Sequence, residues 1–80
     1  MQGRRILSGS ISDFEPGDYG LVDGRWLCCV PDGRYGDLSN HQITEHEDKT
    51  VTVSPSILVS AGGKKGQWHG YLERGVWREV

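Results

Sequence analysis

The stretch DYGLVDGRWLCCV, residues 18–30, decides how the rest of the chain is read. Asp23 and Gly24 tolerate the positive φ that both central positions of a two-residue type I′ turn demand, and the runs on either side favour strands. With the turn placed there, Val22 faces Arg25, Leu21 faces Trp26 and Tyr19 faces Cys28. Side chains alternate along a strand, so Tyr19, Leu21, Trp26, Cys28 and Val30 share an apolar face while Arg25 and Cys29 point the other way. Cys28 is thereby expected in the core.

The same punctuation recurs along the chain. PDG at 31–33, EDK at 47–49, AGGKKG at 61–66 and ERG at 73–75 separate short β-favouring runs, which predicts a single all-β domain over residues 1–80, an antiparallel sheet of hairpins folded into a compact barrel or sandwich. Residues 42–46 and 50–53 read as a second hairpin with Val51 and Val53 on one face. Pro55 marks an edge, a bulge or a break before SILVS. RRILSGSI near the start suits a strand, and SDFE at 12–15 resembles a capping box that Pro16 and Gly17 limit to one helical turn.

For the closing stretch GQWHGYLERGVWREV, a three-residue loop of Glu73, Arg74 and Gly75 places glycine in the left-handed position. Leu72 then faces Val76, Tyr71 faces Trp77, His69 faces Glu79 and Trp68 faces Val80. One face, Trp68, Leu72, Val76 and Val80, is expected in the core. The other, His69, Tyr71, Trp77 and Glu79, is expected as a partly exposed contact surface.

Composition bounds the function. Eighty residues with 35% hydrophobic and 25% charged content and twelve glycines make one small, turn-rich domain with a thin core. A net charge of −2 argues against direct binding of nucleic acid through phosphates. Acidic residues cluster at Asp13, Glu15, Asp18 and Asp23 and again at Glu45, Glu47 and Asp48. The two cysteines are adjacent and form no disulfide framework, and there is no apolar run for a signal peptide or a membrane span, so a cytoplasmic protein is expected.

No catalytic constellation carries a motif. Cys29, Ser54 or Ser56 with His69 is the nearest to a nucleophile and base, and His69 with Glu79 suits a surface ion pair as well as an acid/base role. The glycine-lysine stretch at 62–66 lacks the Ser/Thr and the flanking context of a phosphate loop. His41, His46, His69 and Cys29 supply metal-ligand types without metal-ligand spacing. No enzyme activity, cofactor or metal is expected from these patterns.

The stretches NHQITEHEDKTVTVSPSILVS, WHGYLERGVWREV and GDYGLVDGRW resemble a family of small phage and prophage proteins of unassigned function, over most of residues 17–80. The most specific part is the tail motif carried by Trp68, His69, Gly70, Tyr71, Leu72 and residues 75–77, with Ser54, Pro55 and Ser56. The resemblance implies relatives that often carry glycine where Lys49 stands, and some with extra cysteines of a metal-ligand type that this chain lacks. The resemblance implies a phage context and a compact β fold. In size and charge the chain is also similar to anti-CRISPR inhibitors, which implies a non-enzymatic anti-defence protein that binds the basic DNA channel of a host CRISPR effector complex and blocks target DNA. In that expectation Glu45, Glu47 and Asp48 supply negative potential and Tyr71, Arg74 and Trp77 supply anchors, on a monomer or an edge-strand homodimer. The alternative is a phage accessory protein with a small-ligand or zinc site on His41, His46, His69 and Cys29. Stacking of single-stranded nucleic acid on Tyr71 and Trp77 is a third.

Overall fold

The computed structural model describes residues 1–7, 9–60 and 66–80. Asp23 and Gly24 turn the first hairpin with φ of 50° and 80°. Strands β2 (Asp18–Val22) and β3 (Arg25–Cys29) flank it with Val22 opposite Arg25, Leu21 opposite Trp26 and Tyr19 opposite Cys28. The expected register is the observed one, because both φ requirements are met locally. Strand β4 (Tyr35–Asp37) returns antiparallel to β3.

Strand β1 (Arg4–Ile6) lies on the other side of β2 and runs parallel to it, Arg4 opposite Asp18 and Ile6 opposite Gly20. Among the described residues this is the one parallel pairing between strands. Parallel neighbours need a crossover rather than a hairpin, and the described residues between β1 and β2 include one 3-10 turn, Ile11–Asp13. That turn begins two residues before the expected box: Ser10 is its cap, and the Ser10 N–H donates to the Asp13 carboxylate at 3.1 Å.

The second sheet has the order β5 (Gln42–Glu45), β6 (Val51–Val59), β7 (Trp68–Glu73) and β8 (Val76–Glu79). Gln42 faces Ser54 and Glu45 faces Val51. SILVS continues the same strand instead of starting a new one. Val53 lies opposite Leu72 but Ile57 lies opposite Gly70, so three residues of β6 stand against one of β7. Pro55, with no N–H to give a ladder, sits in that bulge. The Ser54–Pro55 peptide is cis. The expected glycine-rich loop at 61–66 lies almost wholly outside the described residues.

The last hairpin corrects the sequence reading. Its loop has two residues, Arg74 and Gly75, with φ of 46° and 78°. Glu73 faces Val76, Leu72 faces Trp77, Tyr71 faces Arg78 and Gly70 faces Glu79. Shortening the loop by one residue slides the register and flips β8. Trp77 joins Trp68 and Leu72 inside, and Val76 turns to the surface. A left-handed arginine costs about 1–2 kcal/mol. Burying an indole in place of an isopropyl group, with its N–H satisfied, offsets that on the order of 2–3 kcal/mol. The Trp77 Nε1–H donates to the Gly17 carbonyl at 2.9 Å.

One core joins the sheets. Tyr19, Cys28, Val30 and Leu38 from the first pack against Val51, Val53, Ile57, Val59, Trp68, Leu72 and Trp77 from the second. Trp68 and Trp77 meet edge to face at 5.5 Å between centroids, an arrangement their ring quadrupoles favour. Gly70 makes room for it, since a Cβ there would lie 2.5 Å from the Trp68 ring and 2.4 Å from the Arg78 carbonyl oxygen. At one corner Gln2 bridges Val76, the Gly3 N–H donates to the Gly75 carbonyl at 2.7 Å and the Trp77 N–H to the Met1 carbonyl at 2.8 Å. The result is a sandwich of two four-stranded sheets stitched along that corner.

Candidate functional site

The acidic tip lies at the β5–β6 turn. Lys49 takes the left-handed backbone there, φ 75°, a position suited to glycine. Asp48 accepts from the Thr50 hydroxyl and from the Thr50 N–H at 3.0 Å, an Asx-type turn. Those two bonds, the hydroxyl first, hold the Asp48 carboxyl below the usual carboxylate range. Glu45 pairs with Arg5 at 2.8 Å. Glu47 has no ion pair among the described residues. Three carboxylates close in sequence therefore differ: one holds the turn, one is paired with an arginine of the other sheet, and one is exposed without an ion pair among the described residues.

Arg74 reaches the same tip from the β7–β8 turn. Glu45, His46, Glu47, Asp48 and Arg74 line a hollow of about 460 Å³. Thr52 clamps the two turns together: its hydroxyl oxygen accepts the Arg74 N–H at 3.0 Å and lies 2.6 Å from His46 Nε2. Four of the six expected contact residues thus share one end of the molecule. Arg5 braces that end from β1, with its guanidinium 5.1 Å from the Trp26 ring centroid and a bond to the Lys49 carbonyl at 3.2 Å.

Tyr71 and Trp77 part company. Tyr71 is 38% exposed on the outer face of the second sheet, whereas Trp77 is 2% exposed. The expectation that their rings stand together as a surface pair is overturned by the two-residue loop. Trp77 is a core residue, unavailable as a surface anchor in this arrangement. Beside Tyr71 stands Arg78, its guanidinium 5.4 Å from the ring centroid and ion-paired with Glu73. Leu58, Val76 and Val80 are the other exposed apolar residues of that face, Val80 at 73%; Val76 and Val80, expected in the core with Trp68 and Leu72, turn outward with the shifted register. Aligning Trp77 rather than Val76 on Leu72 is the signal that would have found Val76 and Val80.

Of the serine and cysteine candidates, Ser56 is the one brought to His69, Oγ to Nε2 at 2.8 Å. His41 Nε2 donates to the Ser56 carbonyl at 3.1 Å, and its Nδ1 is buried without a partner among the described residues. A serine bonded to a histidine is the first element of an activated nucleophile, which also needs a group to orient the base. Glu79 sits opposite Gly70 rather than His69, and no carboxylate bonds the His69 ring among the described residues. The expected His69–Glu79 facing pair is lost with the register.

Of the ligand types named for zinc, His41 and His69 come together at Ser56, while His46 and Cys29 stand elsewhere. His46 is engaged by Thr52, His41 and His69 by Ser56, and Cys29 lies in the first sheet. No group of three or more metal-ligating residues occurs among the described residues. Both cysteines are free thiols and both are buried, Cys29 as fully as Cys28 although it points away from the core face. Burial, and then the neighbouring Cys29, pushes the Cys28 thiol up to about 12. Burial, followed by Asp18 and Asp32, also raises the Cys29 thiol. Neither is a ready thiolate nucleophile. Among the described residues no helix is long and apolar enough to cross a membrane.

The fold and this surface define a small all-β two-sheet domain with a charged tip. No protein-family model, no curated protein and no solved structure matches the chain, and nothing in those comparisons bears on the expectation of a phage family.

Proposed function

We propose that this chain acts by stoichiometric binding of a protein partner, through the tip that carries Glu45, Glu47, Asp48 and Arg74 and the neighbouring face that carries Tyr71. The observation that supports it is the convergence of two sequence-distant turns on one hollow, with Glu47 left without an ion pair among the described residues. An unpaired carboxylate on a braced turn suits a basic partner surface, because it adds attractive potential during encounter at little ordering cost. Tyr71 adds a rigid amphipathic ring of the kind that anchors interfaces.

The phage resemblance and the charge extend the proposal to an anti-defence role. In that role the tip occupies the DNA channel of a CRISPR effector complex, where Glu47 and the outer oxygen of Asp48 stand in for phosphates, and target DNA is excluded. No step of this function is catalytic. Co-purification with a defence complex from its host, with and without target DNA, tests it. Capture that DNA competes away, and that Glu47→Lys weakens, is the expected result. Absence of capture by any such complex, or capture indifferent to both DNA and Glu47→Lys, overturns the anti-defence reading.

A further inference from the structure

The sandwich is stitched at one corner and, among the described residues, open at another. Strand β4 is the last strand of its sheet and, among the described residues, pairs with β3 alone. Strand β6 pairs with β5 only from Val51 to Ser54, so from Ser56 to Val59 it has β7 on one side and no strand on the other among the described residues. Alternate residues of an antiparallel strand aim N–H and C=O at the same neighbour. The bonds from Val30 N–H to the Arg34 carbonyl and from Leu38 N–H to the Trp26 carbonyl turn residues 34, 36 and 38 toward β3. The backbone groups of Tyr35 and Asp37 therefore face away from it. On β7, the bond from Val80 N–H to the His69 carbonyl turns His69 toward β8, hence Trp68 and Gly70 toward β6. Their partners Val59 and Ile57 are satisfied, and Ser56 and Leu58 face outward. His41 on the Ser56 carbonyl agrees with that polarity.

Between these two edges lies a hollow of about 250 Å³, lined by Tyr35, Asp37, His41, Leu58 and Val59 over a floor at Gly36. Tyr35 and Leu58 are both half exposed at its rim. Its one carboxylate, Asp37, is kept anionic by the Ser39 hydroxyl and N–H. Arg25, 3.9 Å from that carboxylate on the β3 side, is the nearest cation recorded on it and is largely exposed.

We propose that this opening receives an extended peptide segment of a partner protein, which pairs with the free edges of β4 and β6 and places a basic side chain beside Asp37. Extended backbone is the chemistry that satisfies rows of outward N–H and C=O groups on two edges at once. Apolar side chains alternating with the basic one pack on Tyr35, Leu58 and Val59. A second copy fits less well, since it would offer the three-residue β4, too short a ladder to hold a dimer alone, and would bring a second Asp37 to an acidic rim. The site stands at the other opening of the molecule from the tip and does not depend on the proposal made for it.

The test is selection of a library of short random peptides against the intact protein, followed by amide exchange with an enriched peptide bound. The expected result is enrichment of alternating apolar sequences with lysine or arginine, slowed exchange at Tyr35, Asp37 and Leu58, and about fivefold weaker binding to Asp37→Asn, the upper end for a cross-strand charge pair. Asp37→Lys, an exposed change, should shift selection to acidic peptides. The proposal is overturned by no enrichment over an unrelated protein, by protection elsewhere, by selection indifferent to Asp37→Lys, or by concentration-dependent protection of the same amides without peptide, which would mean self-association.

Discussion

Arg74 combines two roles that pull against each other: it lines the tip hollow, and it holds a left-handed backbone that suits glycine. Arg74→Gly should raise the unfolding free energy by about 0.5–1 kcal/mol in urea titration, the strain relieved less the added freedom of the unfolded chain, while weakening partner capture. Asp48 and Asp37 both have carboxyls held below their ordinary range in the fold. A depressed carboxyl contributes stability that is present above its unfolded pKa and lost as pH falls through its folded one. The thermal midpoint should therefore decline as pH drops below about 4, and Asp48→Asn should flatten that decline; an unchanged acid limb would count against the Thr50 bonds. For Cys28 the sign is reversed. Its raised thiol pKa favours the fold up to the ordinary thiol range, and that contribution is lost as pH climbs toward about 12. At pH near 8, iodoacetamide should label Cys28 in urea and leave it unmodified in the native protein.

At the level of the strands, the two registers of the final hairpin make opposite predictions for the same pair of residues. With Trp77 inside, Trp77→Ala should cost about 3–5 kcal/mol, most of the stability of a domain this small, while Tyr71→Ala stays within about 1 kcal/mol and reduces partner binding. Had Tyr71 and Trp77 shared a surface, both would be mild. The first hairpin was legible because Asp-Gly satisfies a type I′ turn without strain, so local chemistry and core alternation agree. Arg-Gly does not. Local preference pointed to a longer loop with glycine alone in the left-handed position, and the burial of an indole outweighed it. Pro55 was legible as an edge, a bulge or a break, and the structure selects the bulge, within a strand that continues on both sides.

For the molecule as a whole, Arg5 is the residue to watch, because it alone links β1, the Trp26 ring, Glu45 and the β5–β6 turn. Arg5→Ala should destabilise by roughly 1–2 kcal/mol through the lost ring contact and turn bond. It should also free Glu45, raising the negative potential of the tip and the salt dependence of association with a basic partner; slower association at low salt would contradict the charge assignment. The gathering of Glu45, Glu47 and Asp48 was readable, since they are neighbours in the chain. The arrival of Arg74 was not, because it depends on how two hairpins align across β6 and β7.

From the sequence alone came the strand-rich class, the register of residues 18–30, the second hairpin and the core placement of Cys28, all consequences of turn dihedrals and of alternation over a few residues. The tertiary structure decided the parallel pairing of β1, the burial of Cys29, the inward turn of Trp77 and the division of labour among the tip carboxylates. Each of these depends on a contact between distant parts of the chain, as when the Trp77 indole meets the Gly17 carbonyl. Such contacts compete with local preference only once the two sheets close on one core.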